Sequence, residues 1–308
     1  MNYSTKFHNS EPTGGLNRLK PSLVCPGCKQ KLYYSDKYNW CSACGESFPQ
    51  VSKNWINLFS EKLLKDDQKW ASRQQEMEIW YQNLIVSPKQ ASYCLLNDYV
   101  PFEPTLNSMS GKVLDVGGGV GLVRHYLPSN TQYIVLDPSL DWLKIEWKTL
   151  SDIFPCLATP PSFVRGVGEC LPFSNCSFDV VLSFWSINHT SNPKQVFEEM
   201  ERVLQPGGKL FIVFEDMSPI WSDIIDKKFP AEKVFLSFFG IDKEASKFAR
   251  SKLMARLLLG LKFPLQPDHI RIEENDVFNW SKDGFELIER SWIGQFLALE
   301  FKKNSLCK

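Results

Sequence analysis

The chain has no excess of charge of either sign, because its 308 residues carry 35 lysines and arginines and 35 aspartates and glutamates. A neutral balance creates no overall field that would attract polyanions, which argues against a protein whose affinity depends on nucleic-acid phosphates. The balance is uneven only locally, since residues 1–60 hold seven basic and three acidic side chains. The sequence therefore predicts at most a local basic patch near the N-terminus.

Long apolar runs are also missing. No uninterrupted hydrophobic stretch reaches the length of about 20 residues that a bilayer-spanning helix needs. The first fifteen residues are polar and lack the apolar centre of a signal peptide. Hydrophobic residues nevertheless make up 43% of the chain, which is ample for a core. We predict a cytoplasmic protein whose thiols are free or bound to metal.

A dinucleotide-binding fingerprint is absent as well, although one glycine-rich segment comes close to it. Residues 113–121 read VLDVGGGVG, which is a short apolar run, an acid and then closely spaced glycines. The apolar run predicts a buried strand, but the spacing G-x-G-x-x-G fails because Leu122 follows Gly121. Glycines allow the backbone to approach a ligand closely. A helix that starts at Leu122 would direct its free N–H groups toward a polar ligand.

Strands and helices alternate from residue 111 onward. Apolar runs predict strands at 112–116, 132–136, 162–166, 178–185 and 209–215, with two more at 285–292 and 296–302 around Gly294. Helical spacing predicts helices at 139–150 and 193–204. The alternation predicts right-handed strand–helix–strand units and a parallel sheet covered by helices.

Two further segments complete a pattern known from one family. Asp137 and Pro138 follow the second strand, and GVGECLPF at 166–173 precedes SFDVV at 177–181. With the glycine turn, these blocks resemble the class I S-adenosylmethionine-dependent methyltransferases, in the branch that contains quinone-biosynthesis enzymes. The resemblance covers roughly residues 111–302. It implies an α/β fold with a doubly wound, mostly parallel seven-stranded sheet, in which the last two strands form an antiparallel hairpin.

The resemblance also assigns a cofactor site. Asp115 would order the glycine loop and the ammonium end of S-adenosylmethionine, and Asp137 would hold the ribose hydroxyls. Val167 stands where the family has the acid that meets the adenine amino group, so backbone groups of 167–169, or the side chain of Glu169, would hold the adenine. The predicted cofactor-binding residues are Asp115, Gly117, Gly118, Gly119, Gly121, Asp137, Pro138, Val167, Gly168, Glu169 and Phe184.

The methyl acceptor would meet the cofactor after the fourth strand, in residues 183–189 (SFWSINH). The methyl carbon of a sulfonium is already electrophilic, so the protein chiefly aligns the nucleophile and excludes water. A base is needed only for a poorly ionised hydroxyl or amine. Trp185 would form a wall of the site, and His189 is the candidate general base because imidazole titrates near neutrality. The alternative is that His189 only caps or packs the loop that leads to Pro193.

Four of the nine cysteines form two C-x-x-C pairs, Cys25 with Cys28 and Cys41 with Cys44, separated by twelve residues. Two such pairs supply the tetrahedral set of four thiolates that structural zinc prefers. The spacing resembles that of zinc ribbons, which occur in methyltransferase activator subunits and in some rRNA methyltransferases. A closed four-cysteine site has no open position for chemistry, and its metal would supply stability that so small a unit lacks.

These segments divide the chain into four parts. We expect a flexible tail at 1–22, a zinc ribbon at 23–59, a helical connector and cofactor cover at 60–110, and the methyltransferase domain at 111–308. The last part contains a long insertion at about 216–277. Three interpretations of it stay open: a lid over the acceptor site, a helical pair packed on the sheet, and a basic amphipathic face against anionic lipid.

Three functions follow from these features. The first is methyl transfer to a small or lipid-like metabolite, which the neutral charge and the aromatic residues near the acceptor site favour. The second is methylation of rRNA or tRNA bases with RNA held by the ribbon, against which the neutral composition counts. The third is a non-catalytic cofactor-binding scaffold, against which the glycine turn and Asp137 count. We predict the first function, with S-adenosylmethionine and structural zinc as cofactors, and the oligomeric state stays open.

Overall fold

The structure is a computed structural model that describes residues 20–50, 55–60, 96–139, 147–158, 161–217, 269–294 and 296–305, together with positions 62, 71, 72, 74, 75, 79 and 223. Most of the predicted tail, connector and insertion lies outside the described residues, although Lys20–Ser22 at the end of the predicted tail form a short 3-10 helix. No helix among the described residues is long and apolar enough to cross a membrane.

The N-terminal unit is a small antiparallel sheet. Its strands are β1 (Leu32–Tyr34), β2 (Tyr38–Cys41) and β3 (Ser47–Pro49), paired in chain order. A fourth strand, β4 (Trp55–Asn57), does not join them but pairs in parallel with the edge of the large sheet. Leu32 and Phe48 are buried in the same hydrophobic cluster as that sheet. The ribbon is therefore packed onto the rest of the molecule.

The large sheet contains all seven strands predicted from the sequence. They are β5 (Lys112–Val116), β6 (Gln132–Asp137), β7 (Ser162–Arg165), β8 (Phe178–Phe184), β9 (Leu204–Phe214), β10 (Phe285–Ile293) and β11 (Phe296–Lys303). The order across the sheet is β10-β11-β9-β8-β5-β6-β7-β4. The last hairpin, β10–β11, is antiparallel, and β11 also pairs antiparallel with β9, whereas the other pairs are parallel. The sheet thus gains an eighth strand, β4, from the segment assigned to the ribbon.

Hydrophobic clusters cover both faces of this sheet, as expected for parallel strands that are buried on two sides. Leu114 packs into the cluster on one face and Val113 into the cluster on the other. The described helices are α1 (Glu103–Asn107), α2 (Trp147–Ile153), α3 (Pro193–Val203) and α4 (Glu274–Ser281). The predicted helix at 193–204 is confirmed as α3, which begins after Asn192, whose side chain accepts a hydrogen bond from the N–H of Gln195.

The helix expected from Leu122 onward is wrong in extent, because the structure has only a four-residue 3-10 helix there, Leu122–His125. It follows the left-handed Gly121 without a side-chain cap and ends before Pro128, which cannot donate a backbone hydrogen bond. So short an element provides little of the dipole that a long helix would direct at a ligand. The turn itself must therefore supply the ligand-facing N–H groups.

The expectation that the thiols are free or metal-bound is wrong at one position. Cys156 and Cys170 are free, whereas Cys176 is disulfide-bonded. Pairing of thiols depends on which segments the fold brings together, and neither composition nor spacing contains that information.

Candidate functional site

The glycine turn after β5 depends on glycine for both conformation and space. Gly117, Gly119 and Gly121 have φ of 76°, 55° and 84°, in the left-handed region. A Cβ on Gly117 would lie 2.4 Å from the Cβ of Ser186. A Cβ on Gly118 would lie 2.5 Å from a carboxylate oxygen of Asp115. The turn is therefore packed directly against the ends of the neighbouring strands.

Asp115 is a buried carboxylate in the middle of this arrangement. Its Oδ2 accepts a hydrogen bond from the hydroxyl of Tyr133 over 2.5 Å, while its Oδ1 has no hydrogen-bond partner among the described residues. Burial raises the pKa of Asp115 to about 7, and the nearby charge of Asp137 adds to the shift. A buried acceptor without a donor costs free energy, so an ammonium group that donates a hydrogen bond to Oδ1 of Asp115 would remove this cost.

Asp137 connects the end of β6 to the glycine turn. Its Oδ2 accepts from the backbone N–H of Gly119, and its Oδ1 from that of Ser139, each over 2.9 Å. The next carbonyl, that of Pro138, accepts from Nε of Arg165 over 3.0 Å. Each carboxylate oxygen offers two acceptor positions, so a fixed Asp137 suits a pair of neighbouring hydroxyls. Tyr133 and Arg165, which help to fix this region, were not predicted as site residues.

The segment predicted to lie beside the adenine, named here the adenine-side segment, is a 3-10 helix, Gly168–Cys170, that packs against α3. Gly168 leaves no room for a side chain, since a Cβ there would lie 2.9 Å from Val196. The carboxylate of Glu169 accepts from the backbone N–H groups of Ser191 and Asn192, over 2.6 and 3.4 Å. Glu169 therefore fastens this segment to the loop before α3.

The acceptor edge begins where β8 ends. Phe184 is the last residue of β8, and Trp185 follows with φ of 52°, which is strained for a residue with a large side chain. The N–H of Trp185 donates to the carbonyl of Val213 over 2.9 Å and holds this conformation. The indole lies between the rings of Tyr99 and Phe296, with centroids 5.0 and 5.2 Å away. These rings form an aromatic wall next to the end of β8.

His189 lies on the same edge, in a cluster with residues that the sequence analysis missed. Its Nε2 is 3.1 Å from Oε1 of Glu215, and Nε2 of His269 is 3.4 Å from the same oxygen. Nδ1 of His269 is 2.6 Å from Oδ2 of Asp216. Glu215 and Asp216 follow β9, the strand next to β8, which is the signal that could have found them. His269 is 53 residues from Asp216 along the chain, and no pattern indicates it.

The four predicted cysteines converge on one point. Sγ of Cys25 is 3.6 Å from that of Cys44, Sγ of Cys28 is 3.4 Å from that of Cys41, and all four lie within 4.8 Å of one another. Thiolates about 2.3 Å from a tetrahedral zinc lie about 3.8 Å apart. Burial raises the pKa of the Cys25 thiol to about 12, so a cation is needed to hold four thiolates.

Comparison with known proteins agrees with this geometry. Residues 114–212 match the family model described as a methyltransferase domain. The matched residues contain the glycine turn, Asp115 and Asp137, so this parallel-sheet domain is similar to a methyltransferase domain of the class I S-adenosylmethionine-dependent type.

The curated relatives with named activities are methyltransferases of quinone biosynthesis. A demethylmenaquinone methyltransferase of Renibacterium salmoninarum is 30% identical over 127 residues, covering 39% of this chain and 50% of that protein. A ubiquinone/menaquinone biosynthesis C-methyltransferase of Shewanella frigidimarina is 27% identical over 138 residues, covering 40% and 54%. The chain spans about half the length of these relatives. A solved Pyrococcus horikoshii protein is 22% identical with a TM-score of 0.43, covering 68% of this chain and 90% of that one.

Proposed function

We propose that the protein is an enzyme that transfers a methyl group from S-adenosylmethionine to a small, quinone-like lipid acceptor. The observation that carries the proposal is the bond between Asp137 and the N–H of Gly119, because it joins the predicted ribose ligand to the predicted methionine-binding turn. The named activity of the two curated relatives supports the acceptor class.

The cofactor would lie across the ends of β5, β6 and β8. Asp115 would meet its ammonium group, and Asp137 its ribose. Because Glu169 is engaged by the loop before α3, we assign the adenine to the backbone of Val167 and Gly168. When bound, the cofactor supplies an electrophilic methyl group. The remaining predicted positions would contribute backbone contacts: Gly117, Gly118, Gly119, Gly121, Pro138 and Phe184.

The acceptor would lie against the aromatic wall of Tyr99, Trp185 and Phe296, since planar rings stack favourably on aromatic side chains. Loss of a proton from a ring hydroxyl makes that oxygen, and the ring carbon beside it, more nucleophilic. In this proposal His189 takes the proton, while Glu215 stabilises the imidazolium that forms. The new bond joins the methyl carbon to the acceptor, and the electrons of the broken C–S bond stay on sulfur. When the ring carbon is methylated, its hydrogen then moves as a proton to the ring oxygen, which restores the aromatic ring.

We also propose that Cys25, Cys28, Cys41 and Cys44 hold a structural zinc ion. The converging sulfur atoms support this assignment, and each C-x-x-C pair is followed by a left-handed residue, Lys29 or Gly45, that turns the backbone around the pair. The ion would stabilise the N-terminal unit and take no part in methyl transfer.

The proposed activity is tested by methyl transfer from isotope-labelled S-adenosylmethionine to a reduced demethylated quinone and, separately, to cellular RNA. We expect label in the quinone, and none with Asp137→Ala. Asp152→Ala is the matched control, because Asp152 is an exposed acid on α2. Label in RNA alone would overturn the proposed acceptor and favour the RNA alternative, with the ribbon as an RNA-binding unit.

A further inference from the structure

We propose that His189, Glu215 and His269 form a binding site for a divalent cation such as zinc, separate from the four-cysteine cluster. This group is named here the His–Glu–His site. Two imidazoles and one carboxylate are a common ligand set for zinc with an open fourth position. Binding of the ion does not depend on the proposed function, and only its role in methyl transfer rests on it.

The spacing of the donor atoms fits a metal ion. Oε1 of Glu215 lies 3.1 Å from Nε2 of His189 and 3.4 Å from Nε2 of His269. Donors that are each about 2.0–2.1 Å from a tetrahedral zinc lie about 3.3 Å from one another. The three donor atoms all lie within 4.8 Å of each other. A small movement of the side chains would therefore place all three at coordination distance.

Asp216 fixes the form of His269 that a metal requires. Its Oδ2 lies 2.6 Å from Nδ1 of His269, and the side chains of Asp216 and His269 are only 5% and 2% exposed. When Nδ1 carries the proton and its N–H donates a hydrogen bond to Asp216, the lone pair of Nε2 points toward Glu215. A carboxylate behind a metal-binding histidine in this way orients the ring and increases its basicity. Glu215 and Asp216 together also balance the charge of a divalent ion.

The backbone brings the three ligands together. His189 ends the 3-10 helix Ile187–His189 after β8, and Glu215 follows β9, the adjacent parallel strand. The segment of His269 is attached by the N–H of Ile270, which donates to the carbonyl of Asn188 over 2.7 Å. The histidine pair is thus held from both sides, with ring centroids 4.4 Å apart.

The site is reachable from outside. The side chain of Glu215 is 25% exposed and that of His189 is 16% exposed, whereas His269 closes the inner side. An ion held by three protein donors on this edge would keep an open position for an oxygen ligand. The four-cysteine cluster differs in this respect, because all four of its positions are filled by sulfur.

The bound ion would change the assignment of His189. When Nε2 of His189 binds the ion, the acceptor hydroxyl would bind the metal through its oxygen. The proton of the hydroxyl would then go to solvent, since a divalent ion lowers the pKa of a bound oxygen ligand. Methyl transfer and the breaking of the C–S bond would proceed as before. A chelator should therefore stop methyl transfer if His189 is bound to the metal, and should leave it unchanged if His189 is a free base.

The test counts metal rather than activity. Protein dialysed against excess zinc and then freed of unbound ion is analysed for zinc per chain. We expect about two zinc ions in the wild type and about one in Glu215→Gln and in His269→Ala. His125→Ala is the matched control, because His125 is an exposed histidine on the 3-10 helix Leu122–His125 and is not a member of the His–Glu–His site, and it should keep both ions. Glu215→Gln keeps the shape of the side chain, so it still tests the site if His269→Ala misfolds.

The outcomes separate the two proposals. An unchanged zinc count in Glu215→Gln and His269→Ala would overturn the His–Glu–His site and return His189 to the role of free base. Loss of one zinc in both variants supports the site even when no quinone is methylated, in which case only the proposed acceptor fails. Methyl transfer that stops when a chelator removes the second ion, and returns when zinc is added back, supports its catalytic role.

Discussion

The backbone N–H of Val24 donates to the carbonyl of Pro172 over 3.0 Å, and this bond joins the ribbon to the segment that follows the adenine-side 3-10 helix. Leu23 forms a bridge with Phe173 next to it. Lys29, which follows Cys28, makes a 2.8 Å ion pair with Glu199 on α3. The ribbon is therefore packed against the segment that we propose holds the adenine.

We predict from this contact that cofactor affinity depends on the ribbon. We expect Cys41→Ser to lose the ribbon zinc and to lower Tm by about 5 °C or more. Cofactor affinity should also fall several-fold, because residues 166–173 lose their support. Zinc analysis, thermal melting and calorimetric titration with S-adenosylhomocysteine measure these three effects. Lys37→Ala, an exposed change on the same unit, should alter none of them, and unchanged affinity in Cys41→Ser would show that the ribbon is independent of the site.

The sequence predicted the parts of this arrangement that depend on local pattern. Apolar runs located all seven strands, and the two C-x-x-C pairs located the cysteine cluster. β4 was missed because Trp55–Asn57 is only three residues long and carries no alternation of its own. Its partner β7 lies more than a hundred residues away, so the pairing depends on tertiary packing.

The positions of Asp115 and Asp137 near the ends of β5 and β6 were predictable, because the apolar runs before them locate the strands, while their roles stay predictions. The partners of His189 were not, because His269 reaches the cluster through folding of a distant segment and not through spacing. Glu169 shows that the position of a residue in a motif does not by itself determine what its side chain contacts. Its position suggested adenine binding, yet only the structure shows that its carboxylate accepts from Ser191 and Asn192.

Asp137 should be needed for cofactor binding. Replacing it with alanine removes two charge-assisted hydrogen bonds to the ribose, each of about 1.5–3 kcal/mol, so we expect affinity to fall by about 100-fold or more. Asp137→Asn keeps one acceptor oxygen and should have an intermediate effect. Calorimetric titration gives the affinities. Circular dichroism checks that loss of the hydrogen bond between Asp137 and Gly119 has not unfolded the chain. A folded Asp137→Ala protein with wild-type affinity would contradict the assigned ribose ligand.

Cofactor binding should strengthen as the pH rises toward 7. Burial raises the pKa of Asp115 to about 7, so this carboxyl is mostly protonated below that pH, and an ammonium group binds its ionised form. Affinity for S-adenosylhomocysteine should increase by up to about tenfold per pH unit between about pH 5.5 and 7. In Asp115→Asn the affinity should be lower and this slope should disappear. An equal slope in both proteins would exclude Asp115 as the titrating group.

The same group should affect stability with the opposite sign. Because the pKa of Asp115 is raised on folding, the folded state binds its proton more tightly than the unfolded chain does. The stability that this proton contributes is fully present below the unfolded pKa of about 4 and is lost as the pH rises to about 7. Asp115→Asn should therefore gain stability over the wild type from pH 4 to pH 7, measured by denaturant unfolding without cofactor. A constant difference across this range would contradict the raised pKa.

Trp185 should determine how tightly the acceptor binds without affecting the cofactor. Its indole packs between Tyr99 and Phe296, and an alanine would remove the face on which a planar acceptor stacks, a contact of about 0.5–1.5 kcal/mol beyond its buried area. We expect Trp185→Ala to raise KM for the quinone about tenfold and to leave the affinity for S-adenosylhomocysteine within about twofold. Trp185→Phe should retain most of the activity because it keeps an aromatic face. A loss of cofactor affinity equal to the rise in KM would instead indicate that the strained backbone at Trp185 shapes the cofactor site.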